Sequence, residues 1–224
     1  MVREVVPLMI VSRESLTERL ELADQLLAAR EKLFEPQHLP GRYGRAVKVV
    51  DRLLEALGAE SVLGGNWAVW RHGFAGRITQ DIDIILPAGR IEEIVRAASM
   101  SGFEVLPQPA GRWPKLWHKD TGVIVDILPE GARPGTETKP ALTTIPSPSD
   151  LGAIAGRLTY ISLPRLIELK LAAARARDEA DVVELIRVNP DRIEDIRRHL
   201  AGVHAAYLRA FDSLVERARE QRDA

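Results

Sequence analysis

The stretch "VLGGNWAVWRHGFAGRITQDIDIIL", residues 62–86, decides the fold. It opens as a short apolar strand that runs into the pair Gly64-Gly65 and closes as the strand DIDIIL. Aspartate is disfavoured in strands, so two of them in one short strand ask for a reason. Alternate residues of a strand face the same way, roughly 6.5–7 Å apart. Asp81 and Asp83 therefore share one face, while Ile82, Ile84 and Leu86 point to the other and can pack on helices. Carboxylates that close repel each other, and burying them requires a compensating cation. A hard divalent ion with oxygen ligands, Mg²⁺ or Mn²⁺, meets that need. The alternative is a solvated strand with two exposed acids, and the apolar IIL that follows argues against it.

A third acid stands in "VIVDIL", the most apolar strand of the chain, where an isolated charge is expensive. If that strand lies beside DIDIIL, then Asp81, Asp83 and Asp126 converge, an arrangement suited to holding metal ions for a phosphoryl-type displacement. The competing reading pairs Asp126 with an arginine such as Arg77 or Arg112. Gly64 and Gly65 end one strand and precede "NWAVWRHG", which can open a helix. A backbone bare of side chains at that point lets phosphates approach its N–H groups.

Outward from this centre, residues 14–34 carry leucines near helical spacing. "EPQHLPGRYG" interrupts them with prolines and glycines, and "RAVKVVDRLLEALG" gives a second helix ended by Gly58. Beyond DIDIIL come a helix in "RIEEIVRAASMSG", a strand in "FEVLP" and a hairpin in "LWHKDTGVIVDIL" that turns at 119–122. Residues 129–150 are rich in proline and lack periodicity, as expected of a loop or flap. "SLPRLIELKLAAARARDEADVVELIRV" reads as one long helix with Ser162 as its N-cap, and everything from Asp191 on is helical with an apolar stripe. The predicted fold class is α/β (α+β): a small mixed sheet flanked by N-terminal and C-terminal helices. The predicted segments are 1–58 helical, 59–130 the α/β core, 131–150 loop or flap, and 151–224 helical.

The 224 residues suffice for a sizeable core, and 46% apolar with 28% charged residues fits a soluble globular chain. With 31 basic and 32 acidic residues the net charge is −1, so nucleic acid could be held only by a local patch. The segment 151–177, with four arginines and Lys170 against Glu168, is the candidate. The absence of cysteine excludes disulfides, thiolate metal sites and cysteine nucleophiles. The apolar run near the start is too short to span a membrane and lacks a cleavage pattern, so a cytoplasmic location and no membrane partner are expected.

Glycine pair, D-x-D strand and third carboxylate together resemble the DNA polymerase beta-type nucleotidyltransferase superfamily. The branch most similar is that of the abortive-infection type IV toxin nucleotidyltransferases. Members commonly carry an arginine and a threonine before the D-x-D, matched by Arg77 and Thr79. "KLAAARARDEAD" resembles that branch's K-x7-D-x2-D motif, giving Lys170, Asp178 and Asp181, which one helix would place on a shared face. The resemblance spans about residues 60–187. It implies transfer of an NMP group from an NTP to an acceptor, with catalysis and metal binding at Asp81, Asp83 and Asp126. Nucleotide contacts would come from Gly64, Gly65, Arg77, Thr79, Lys170, Asp178 and Asp181. Implied acceptors are a tRNA 3′ end, a protein hydroxyl or a small molecule such as an aminoglycoside, and a cognate antitoxin is an implied partner. Three departures stand out: Gly65 where many members have serine, a longer gap to the D-x-D than in the smallest members, and N-terminal helices without a counterpart. A rival reading is a protein of the same fold that binds a nucleotide or partner without transfer. His72 is read as a helix-surface or capping residue, His118 as structural, and Trp67, Trp70, Trp113 and Trp117 as core or loop anchors.

Overall fold

The structure, a computed structural model, describes residues 13–28, 35–74, 79–109, 111–135 and 140–223. Helices α1 (Arg13–Ala28) and α2 (Gly41–Leu57) lead into β1 (Ser61–Leu63), α3 (Gly65–Arg71) and β2 (Asp81–Leu86). There follow α4 (Ile91–Met100), β3 (Phe103–Leu106), β4 (Lys115–His118) and β5 (Val123–Pro129). After a long connection come β6 (Leu158–Tyr160), α5 (Leu163–Ala173), α6 (Ala176–Val188), α7 (Ile193–Val203) and α8 (Ala205–Asp223). The strands form one sheet in the order β3-β4-β5-β2-β1-β6. β2 pairs parallel to β5 and β1 parallel to β6, while the remaining neighbours are antiparallel. The sheet is mixed and the class α/β, as the sequence predicts.

Strand alternation sorts the side chains into two cores. Leu63, Ile82, Ile84, Leu86, Val125 and Ile127 pack with Val47, Val50 and Leu54 of α2 and with Ile94 and Ala98 of α4. On the opposite face, Val62 and Ile85 join Ile167, Val182, Leu200, Phe211 and Val215 of α5 to α8. Each fully buried aliphatic side chain contributes about 1.5–3 kcal/mol, so both helical layers are held to the sheet by apolar burial. Ile85 sits under the C-terminal helices. By alternation Asp83 and Asp81 lie on that same face, toward the start of β2.

Four local differences from the sequence reading have physical causes. α2 begins at Gly41, inside the segment read as a break. Gly44 fits there because a side chain would land on the Leu39 carbonyl. β6 escapes pattern reading because three residues carry no periodicity. The helix predicted across 162–188 breaks at Ala174, which adopts a left-handed conformation at φ 48°. The C-terminal helix breaks at extended His204, whose Nδ1 accepts from the Ala206 N–H at 3.1 Å. The connection after β5 is anchored: Gly131 N–H donates to the Ile145 carbonyl, Ile145 N–H donates to the Ala132 carbonyl, and the Tyr207 hydroxyl accepts from Leu142 and Thr143 N–H at 3.1 and 3.2 Å. No described helix is long and apolar enough to cross a membrane.

Candidate active site

In the parallel register of β2 and β5, Asp83 stands opposite Asp126 and Asp81 opposite Ile124. Opposed residues of neighbouring strands share a face, so Asp126 joins the D-x-D pair on one side of the sheet. Burial pushes the Asp83 carboxyl up to about 7, and the charges of Asp81 and Asp126 add to the rise, while Lys170 and Arg175 oppose it. Solvent still touches Asp83, yet protein surrounds it closely. Asp126 is also raised, by burial first, against the pull of Lys115. Both carboxyls are thus held above their usual range chiefly by removal from water, with the neighbouring acids adding to it.

Each acid is held by its surroundings. The Thr79 hydroxyl donates to Asp81 Oδ1. Lys115 Nζ donates to Asp126 Oδ2 at 2.7 Å, and Asp126 Oδ1 is buried without a hydrogen-bond partner. Trp67, packed against Tyr43 with the rings tilted by 56°, donates its indole N–H to the Asp81 carbonyl at 2.8 Å, fixing the start of β2. Gly65 has φ +58°, and a Cβ there would land on the Asp83 carboxylate. A serine at this position would have no room in this arrangement. The bare backbone at Gly65 admits Asp83.

Lys170, Asp178 and Asp181 come together, though not along one helix as predicted. Lys170 lies on α5 and both acids on α6, beyond the break at Ala174. Lys170 Nζ reaches Asp181 Oδ2 at 2.6 Å and Asp178 Oδ1 at 3.4 Å, and all three side chains are buried. Arg175 Nε donates to Asp178 Oδ2 at 2.5 Å, with its side chain half-exposed. The charges of Lys170 and Arg175 are felt at Asp83, so this cluster borders the carboxylate face. A surface charge ladder would be solvated, and this one is not.

His72 sets its Nε2 2.8 Å from the Ile161 carbonyl, and burial lowers its pKa, so it ties α3 to the β6–α5 junction. His118 is buried against Phe103 and bonded to Thr121 within the hairpin. Trp67 and Trp70 are core residues. Arg77 lies outside the described residues.

Among the described residues the partner of Asp126 is Lys115. The signal was in the sequence: counting back through the turn at 119–122 sets His118 against Val123 and Lys115 against Asp126, the register observed.

The three acids offer oxygen donors only, and one buried oxygen lacks a partner, which suits a hard divalent ion. As the side chains stand, no three described Asp, Glu or His residues are spaced to hold one ion. Thr79 and Lys115 each hold one carboxylate in its present orientation.

No family profile matches the chain, and no curated protein matches it in sequence. Among solved structures, ANT(2")-Ia in complex with adenylyl-2"-tobramycin is similar at TM-score 0.41 and 19% identity, over 80% of this chain and 99% of that one. The solution structure of the antibiotic-resistance factor ANT(2'')-Ia gives 0.38 and 18%, over 80% and 94%. JHP933 from Helicobacter pylori gives 0.32 and 12%, over 79% and 93%. At such values the function has to be reasoned from this chain's own residues.

Proposed function

We propose that this protein is a nucleotidyltransferase that moves an NMP group from an NTP to an acceptor hydroxyl and releases pyrophosphate. The observation that carries the reading is the strand register that sets Asp126 opposite Asp83 and beside Asp81. A protein that only binds a nucleotide gains nothing from three mutually repelling carboxylates on one face. Asp81, Asp83 and Asp126 would hold Mg²⁺ or Mn²⁺, which when bound offsets phosphate charge and acidifies the attacking hydroxyl. Asp126, with its unpartnered Oδ1, is the residue to accept the proton from the acceptor. Gly64 and Gly65 leave the backbone bare where phosphates would lie. Lys170 and Arg175, organised by Asp178 and Asp181, supply positive charge against that building on pyrophosphate. Thr79 orients Asp81, and Arg77 is assigned to the nucleotide by the sequence resemblance alone.

The same resemblance favours an RNA 3′ end or a protein hydroxyl as acceptor, and with it a cytoplasmic toxin held by a cognate antitoxin. A small-molecule hydroxyl, as on an aminoglycoside, is the third acceptor class. The deciding experiment incubates the protein with each α-labelled NTP and Mn²⁺ beside three acceptors: bulk tRNA, a protein lysate and an aminoglycoside. Label should move to one acceptor class and vanish in Asp81→Ala and Asp126→Asn. Tight NTP binding without transfer to any acceptor would instead establish the catalytically silent, nucleotide-binding reading.

A further inference from the structure

Lys115 belongs to none of the motifs that point to the site, yet it makes the shortest polar contact of the third carboxylate. It lies on β4, directly opposite Asp126 across the antiparallel β4–β5 ladder. Its ammonium sits 2.7 Å from Asp126 Oδ2, with 39% of the lysine side chain and 21% of the aspartate side chain exposed. Lys170 is committed to Asp178 and Asp181, and Arg175 to Asp178. Lys115 is therefore the cation that directly bonds one of the three acids, among the described residues.

From this we infer that Lys115 is a tethered counter-cation that holds Asp126 in the ion-free protein and competes with the divalent ion for it. The inference rests on the proposed metal-dependent reading of the site. Three observations converge. One oxygen of Asp126 is taken by the ammonium while the other is buried without a partner, so the carboxylate is turned toward β4 and only half satisfied. The three acids share a face, yet among the described residues no three acidic or histidine side chains stand at a spacing that closes on one ion. A carboxylate removed from water with no cation is costly, and a lysine on the neighbouring strand offsets that cost until the ion arrives. The lysine stem is flexible and its head reaches solvent, so release requires only rotation of side-chain bonds, with no break in the sheet. Lys115 acts through Asp126 and is a positioning residue.

The test is Mn²⁺ binding at pH 8 without nucleotide, followed by the electron-paramagnetic signal of free Mn²⁺, for wild type, Lys115→Met, Lys115→Arg and Asp83→Asn. Removing the competitor should tighten Mn²⁺ binding in Lys115→Met by about tenfold, and Lys115→Arg should return it to the wild-type value. A purely structural lysine would leave the affinity unchanged or weaken it, and either result overturns the inference. So would Lys115→Arg behaving as Lys115→Met does, since the charge would then not be what competes. Mn²⁺ binding that is lost in Asp83→Asn but indifferent to Lys115 retains the proposed function and sinks this inference alone. No Mn²⁺ binding in any of the four proteins sinks both.

Discussion

Asp83 sits beneath the bare Gly65 backbone, beside Asp81 and across from Asp126, and its burial drives the carboxyl up to about 7. The folded, ion-free protein thus binds this proton more tightly than the unfolded chain, where an aspartate titrates at about 4. The stability gained is complete below about pH 4 and fades as pH rises through about 7. Three pH units of difference set an upper bound of about 4 kcal/mol, reduced by whatever solvent reaches the group. Urea titrations of the ion-free protein should show wild type losing more stability than Asp83→Asn between pH 5 and pH 8, with Mg²⁺ narrowing the gap; parallel curves would refute the assignment. Gly65→Ala meets two obstacles at once. A left-handed φ costs a β-carbon roughly 1–2 kcal/mol, and the new methyl displaces Asp83. Label transfer should fall on the order of a hundredfold, with a lower Tm in the same preparation. The glycine pair was legible in the sequence as the junction between a strand and a helix. That Gly65 admits Asp83 depends on how β1 meets β2 and was not.

Between α5 and α6 the chain turns at Ala174, and this break lets Lys170 meet Asp178 and Asp181 away from water. Nothing in "AAARAR" announces it, because alanine and arginine are strong helix formers and the left-handed turn is imposed by packing. Replacing the positive-φ alanine by glycine removes a Cβ penalty, so Ala174→Gly should stabilise the protein by about 1 kcal/mol in urea melts. Lys170→Met should do the reverse. It leaves Asp178 and Asp181 buried without their lysine, at a cost of about 3–5 kcal/mol, with the lower end set by Arg175 remaining on Asp178. A Tm within a degree of wild type would show that these acids are solvated after all. The K-x7-D-x2-D spacing picked out three residues that meet, but not along the single helix expected, for a reason that only packing reveals. The hairpin is the opposite case: its turn at 119–122 sets the register locally, and Lys115 against Asp126 could have been counted from it.

At the scale of the whole molecule, the sheet separates an N-terminal helical layer from a C-terminal one, and the carboxylates occupy the face that the second layer covers from Ile85 onward. That layer also anchors the connection after β5, through the Tyr207 hydroxyl bound to Leu142 and Thr143 N–H. Tyr207→Phe removes the acceptor that both N–H donors share and should cost about 1–2 kcal/mol. Amide hydrogen exchange should speed up at Leu142 and Thr143 while β2 and β5 keep their protection; unchanged exchange there would show that the loop is held by Ile145 and Ala141 alone. By itself the sequence determined the strands DIDIIL and VIVDIL, the sides on which their acids and isoleucines fall, and the mixed α/β character, because alternation and turn chemistry act between near neighbours. Only the tertiary structure decided that β5 lies parallel against β2 with Asp83 facing Asp126, and that Lys170 is buried with two aspartates. The first pairing joins strands far apart in the chain and the second requires the break at Ala174, so both are settled by how the faces of the sheet are buried.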